Sequence, residues 1–107
     1  LIMEEIVLLE TKTARQDKEV CRVQFAVGEF DMVVYDPAAL TCEIYEIKHS
    51  AEIVPEQYRH LIDEGKCAAA EHRFGEITGK YLIYRGAPAE TAGVRYLNVE
   101  EYLKSLA

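Results

Sequence analysis

The spacing of hydrophobic and polar positions changes several times along the chain, and each change marks an element. Ile2, Ile6 and Leu9, with Leu1, Met3 and Leu8 beside them, recur at helical spacing, so residues 1–12 read as a helix. The polar run TARQDKE reads as a loop. VCRVQFAV then alternates, with Val20, Arg22 and Gln24 on one side and Cys21, Val23 and Phe25 on the other. That is the pattern of a half-exposed strand, closed by a tight turn at Gly28. EFDMVVY is apolar on both faces and predicts a more central strand. DPAAL supplies a turn, with Pro37 fixing the backbone after Asp36, and TCEIYEIKH is the third strand. Connections this short predict an antiparallel meander.

Pro55 suits the first turn of a second helix. Tyr58, Leu61, Ile62, Ala68 and Ala69 continue it to about Phe74, with Gly75 as the C-terminal cap and Gly65 as a candidate break. KYLIYRG reads as a short buried strand and VRYLNV as another. Asn98 with Glu101 resembles a capping box for a last helix, VEEYLKSL. The predicted order is helix, three strands, helix, strand, short strand, helix. This is an α/β sheet with helices on its faces.

At 107 residues the chain suits one domain. Hydrophobic content of 50% and charged content of 29% argue against disorder. No apolar run approaches the length of a membrane span, and no signal peptide is expected in this stretch. The chain opens on Leu1 inside an apolar helix, so it is expected to be a fragment of a longer protein cut at a domain boundary. Cys21, Cys42 and Cys67 are widely spaced and form no CxxC pair. They read as reduced, buried thiols of a cytoplasmic protein, and a disulfide or zinc framework is disfavoured. The net charge of −7 counts against strong DNA binding by this chain alone, since such affinity comes largely from phosphate contacts. It is compatible with carboxylates that hold a cation.

Two predicted strands carry charge where a core is expected. Side chains alternate along a strand, so Glu46 and Lys48 share a face with Cys42 and Ile44, and Asp31 shares one with Val33 and Tyr35. If the strands pair across the turn, the two carboxylates converge. An isolated buried carboxylate is costly unless paired or bound to metal. Two carboxylates and a backbone carbonyl make a hard-oxygen site suited to Mg²⁺ or Mn²⁺, and the lysine can hold a water or stabilise charge developing on a phosphate. The Glu-x-Lys triplet also occurs as Glu10-Thr11-Lys12 and Glu64-Gly65-Lys66, but both lie on predicted helices, where i and i+2 do not face each other. In the competing reading Asp31 and Lys48 form a salt bridge at a sheet edge and Glu46 faces solvent.

At Asp31…Glu46-Ile47-Lys48 the sequence resembles the PD-(D/E)XK nuclease superfamily. More closely, MEEIVLLETK, GEFDMVV, YEIKHS, RFGEITGKYLIYRG and YLNVEEYLKSL resemble the nuclease-like domain of unknown function found C-terminal to AAA+-type ATPase modules in bacteria and archaea. These segments span nearly the whole chain. The resemblance implies a restriction-endonuclease-like core, a mixed sheet with an antiparallel three-strand meander flanked by helices. It implies Asp31 and Glu46 as ligands of Mg²⁺ or Mn²⁺, with the carbonyl of Ile47, and Lys48 orienting water or stabilising the phosphate. Glu4 matches an acidic residue that many relatives add from the first helix, and Gln57 matches a glutamine that some place after the lysine as a substrate contact. Phe30 stands where a proline often precedes the aspartate.

The expected activity is metal-dependent hydrolysis of DNA in a domain attached to an ATPase. The alternative is an inactive nuclease-like domain serving protein interaction or regulation of that ATPase. Expected partners are DNA and the N-terminal ATPase module, with no membrane and with a homo-oligomer allowed for. Other signals are bland. GEITGKY has too few residues between its glycines for a phosphate loop, and Tyr81 stands where Ser or Thr would hold magnesium. His60 and His72 read as ordinary helix residues, His49 as a residue on the face opposite Lys48, and Tyr81, Tyr84, Tyr96 and Tyr102 as core or interface. Lys12, Arg15, Lys18 and Arg22, interrupted by Asp17 and Glu19, read as a solvated loop.

Overall fold

The strands with the longest apolar runs lie in the middle of one sheet. The computed structural model describes residues 2–107; Leu1, the first residue of the predicted helix, lies outside them. Helix α1 spans Met3–Ala14, followed by β1 (Glu19–Phe25), β2 (Gly28–Asp36) and β3 (Thr41–Ile47). Two helices follow, α2 (Pro55–Ile62) and α3 (Glu64–Phe74), then β4 (Glu76–Tyr84), β5 (Ala89–Thr91), β6 (Val94–Asn98) and α4 (Val99–Ser105). The order across the six-stranded sheet is β1-β2-β3-β4-β6-β5. The first three strands are the antiparallel meander. β3, β4 and β6 run parallel, and β5 returns antiparallel along the outer edge of β6.

Both faces of the central strands are covered, which is why their sequences read as near-continuous apolar runs. Val33, Cys42, Ile44 and Leu82 face α2 and α3, packing on Leu61, Ala70 and Phe74. Met32, Val34, Tyr45 and Ile83 face the other way and pack on Val7 of α1 and Tyr102 of α4. The radius of gyration, 13.0 Å, is that of a compact domain of this length. Among the described residues no helix is long and apolar enough to cross a membrane.

Several local expectations change in place. The predicted second helix breaks at Asp63 rather than Gly65, because the Asp63 carboxylate accepts from the Lys66 amide at 2.9 Å and starts a new helix. GEITGKY is strand: β4 begins at Glu76, ahead of the predicted Lys80. β5, part of the segment after Tyr84, was not anticipated. Asn98 caps α4, accepting from the amides of Glu100 at 3.0 Å and Glu101 at 3.1 Å. The tyrosines are core or stacked on it: Tyr45 and Tyr81 stack at 5.0 Å, and Tyr84 meets Tyr96 edge-on at 5.0 Å. The three cysteines are free thiols, Cys42 buried and Cys21 and Cys67 half-buried.

Gly75 ends α3 as expected and also passes under the β2–β3 turn. Its φ is +91°, and a Cβ there would sit 1.9 Å from the Leu40 carbonyl oxygen. Gly75→Ala is therefore expected to destabilise the fold by about 1–3 kcal/mol, through left-handed strain plus displacement of that turn. Urea denaturation checks this; an unchanged midpoint would contradict the packing described.

Candidate active site

The β2–β3 hairpin fixes the site. Asp36 Oδ1 accepts from the amides of Ala38 at 3.0 Å and Ala39 at 3.1 Å, folding the turn on itself. That sets the register Asp36↔Thr41 through Met32↔Tyr45. Continued by one residue, this register puts Asp31 directly opposite Glu46. Here the backbone ladder stops and the carboxylates take over its bonds. Glu46 Oε2 accepts from the Asp31 amide at 3.0 Å, and Asp31 Oδ2 accepts from the Ile47 amide at 2.9 Å. On a strand the N–H and C=O of one residue face the same neighbour, so the Ile47 carbonyl is directed toward this fork. The Lys48 amide faces the other way and donates to the Ile83 carbonyl at 2.9 Å.

Glu46 is only 4% exposed. Like charges directly opposite on paired strands repel, and burial disfavours ionisation. Burial first, and Asp31 second, push the Glu46 carboxyl up to about 7, while the Asp31 amide and the positive charge of Lys48 pull it down. The ion pairs of the described residues join Arg15 to Glu43, Lys18 to Asp17 and Asp36, and Arg22 to Glu4. Neither Asp31 nor Lys48 takes part in one. The edge salt bridge with a solvated Glu46, the competing reading of the sequence, is thus not what forms.

Comparison with protein-family models, with curated proteins and with solved structures found no match to this chain. The site therefore rests on its own geometry.

A cleft of about 370 Å³ opens over the carboxylates on the α2–α3 side, lined by Glu29, Asp31, Glu46, Lys48, His60 and Lys66 among others. Asp31, Glu46 and Lys48 are brought together as the alternation predicted. Glu4 is not: α1 packs on the opposite face of the sheet, and Glu4 pairs with Arg22. Gln57 is not presented to the cleft either. Its amide nitrogen donates to Ser50 Oγ at 2.6 Å and its oxygen accepts from the Val54 amide at 3.4 Å, bracing the entry to α2. Among the described residues no group of three or more His, Cys, Asp or Glu side chains is arranged to hold a metal. The oxygen donors joined at the fork are the Asp31 and Glu46 carboxylates and the Ile47 carbonyl, and the Glu29 carboxylate also lines the cleft.

His60 and Lys66 are cationic or titratable cleft residues that the sequence did not single out, and Val27 and Glu29 line the cleft as well. His60 had read as an ordinary helix position; it sits on the rim, with its pKa pushed down by burial and then by the charges of Lys66 and Lys48. Lys66 belonged to a Glu-x-Lys triplet dismissed as helical, and helical it is. Its burial arises from contacts with β2, which no local pattern encodes. The basic group near the first hairpin is not a free DNA track, because Arg15, Lys18 and Arg22 are engaged in the ion pairs above.

Proposed function

We propose that this domain is a PD-(D/E)XK-type nuclease that hydrolyses DNA phosphodiesters with Mg²⁺ or Mn²⁺. The observation that carries the reading is the buried Glu46 carboxylate, set opposite Asp31 with no cation among the described residues in ion-pair contact and open to a cleft that also holds Lys48. Such a pair of carboxylates is retained at a cost unless a cation completes it. The donor set, all hard oxygen, fits the proposed ions, which keep several waters and take only one or two carboxylates. When bound, the ion supplies Lewis-acid polarisation of a phosphoryl oxygen and a more acidic water.

The chain's own residues divide the remaining work. Asp31 and Glu46 would hold the ion, and their hydrogen bonds to the Ile47 and Asp31 amides fix each carboxylate in one orientation. Lys48 donates to an anionic oxygen in the same cleft, where low local dielectric makes its charge count for more than in water. Its positive charge also favours the ionised form of Glu46.

The test is calorimetric titration of Mn²⁺ and Mg²⁺ into the protein, followed by cleavage assays on labelled single-stranded, duplex and branched DNA. Binding and metal-dependent cleavage are expected at pH 8. Below about pH 7 affinity should fall by up to about tenfold per unit, because the ion must displace the Glu46 proton. The net charge of −7 favours a second reading, an inactive nuclease-like domain for protein interaction or regulation of a fused ATPase. A folded protein that binds neither ion would select it.

A further inference from the structure

Lys66 stands in the first turn of α3 and is 5% exposed. Lysines are almost never buried to this extent without a carboxylate partner, yet no ion pair of the described residues includes it. The side chain is held by shape. Its stem runs against Gly28, where a Cβ would lie 3.2 Å from Cδ and 3.4 Å from Cε. The ammonium sits 4.6 Å from the centre of the Phe30 ring, which offsets part of the lost hydration. The ammonium makes no side-chain hydrogen bond or ion pair within the described residues, and it is not among their buried unpartnered polar atoms, so its N–H donors reach the solvent of the cleft and are free to take an anionic oxygen. The same side chain lines the cleft with Asp31, Glu46 and Lys48. Lys48, His60 and Lys66 line this one cleft together.

We propose that Lys66 is a second phosphate-binding cation of this cleft, anchoring a non-bridging phosphate oxygen of the nucleic-acid backbone beside the Asp31–Glu46 pair. The assignment rests on the nuclease reading and adds a substrate-binding residue to it. Gly28 and Phe30 are its positioning residues: they hold a long, flexible side chain in one place before substrate arrives, which reduces the ordering needed on binding. A lysine that only covered Phe30 would contribute packing and no phosphate contact.

The experiment is steady-state cleavage of a labelled single-stranded oligonucleotide with Mn²⁺, over a salt series, for wild type, Lys66→Met and Lys66→Arg. Lys66→Met keeps the apolar stem and removes the charge. It is expected to raise KM about tenfold, the effect of one charge-assisted hydrogen bond. Its slope of log KM against log salt should become shallower by about 0.7, the value for one lost single-strand phosphate contact. Lys66→Arg should restore most of both. Mn²⁺ titration and the denaturation midpoint identify any variant that fails to fold, and if Lys66→Met does, the equally uncharged Lys66→Gln carries the comparison of slopes against wild type. Intact cleavage with unchanged KM and slope overturns the Lys66 assignment and leaves the nuclease reading standing. A lowered kcat with an unchanged slope assigns Lys66 a structural role and also overturns it. A wild type that binds Mn²⁺ but neither binds nor cleaves single-stranded, duplex or branched DNA overturns both.

Discussion

Glu46→Gln is expected to make the domain more stable and inactive at once. The carboxyl is raised in the folded chain from its ordinary 4.5 to about 7. Between these values the folded state holds a proton that the unfolded state has lost, so stability falls as pH rises through that window and levels off above about pH 7. The full loss is roughly 3 kcal/mol at 1.36 kcal/mol per unit. Glutamine carries no charge at any pH in this range, and its oxygen can still accept from the Asp31 amide that Glu46 engages at 3.0 Å. In EDTA at pH 8 the variant should therefore gain up to about 3 kcal/mol over wild type, and the two should converge only below about pH 4.5. With Mn²⁺ the order reverses, because the ion stabilises only the protein that binds it. Cleavage should drop by at least about 10³-fold, the loss of several kcal/mol of charge stabilisation. Urea denaturation in EDTA and in Mn²⁺, at pH 8 and below about pH 4.5, measures all of this. Equal stability in EDTA at pH 8 would remove the like-charge account of the site.

Lys48→Met is expected to lower kcat by about 10²–10³-fold, the usual consequence of removing one donor aimed at developing charge. Unlike Glu46→Gln, it should leave Mn²⁺ binding at pH 8 intact, because a neighbouring cation opposes rather than assists a metal ion. The backbone bond from Lys48 to Ile83 at 2.9 Å survives the substitution, so the strand end stays in place. The pH profile should respond in a defined direction. Lys48 is one of the influences that lower the Glu46 pKa, so its removal should move the acid limb of metal binding to higher pH. Calorimetry at several pH values together with single-turnover cleavage separates these effects. A variant that loses metal affinity and stability in proportion to rate would assign Lys48 a structural role instead.

The parts of the site legible in the sequence are those set by local periodicity. Two-residue alternation placed Asp31 with Val33, and Glu46 with Ile44, on the face that the structure covers with α2 and α3. Short connections gave the meander, and Gly75 and Asn98 gave their caps. What escaped depends on distant contacts. Lys66 looks like any polar residue near a helix start; only the approach of Gly28 and Phe30, more than thirty positions earlier, buries it. Glu4 has the right chemistry for a ligand, but which face of the sheet α1 covers is set by Val7 meeting Val20, Met32 and Val34. The start of β4 was hidden because Glu76, Thr78 and Gly79 lack apolar character; pairing with Thr41, Cys42 and Glu43 of β3 extends the strand regardless.

The fork between β2 and β3 also governs how an inactive version of this protein has to be made. Each carboxylate is an acceptor for the opposing strand as well as a proposed ligand, so truncation to alanine removes both together. Alanine at position 31 strands the Ile47 amide, and alanine at position 46 strands the Asp31 amide. An orphaned buried donor costs about 1–3 kcal/mol, enough to loosen the strand ends that frame the cleft. Amide isosteres, Asp31→Asn and Glu46→Gln, keep those acceptors and remove only the charge. A loss of activity in an alanine scan of this hairpin would confound chemistry with architecture, whereas the isosteric pair separates them.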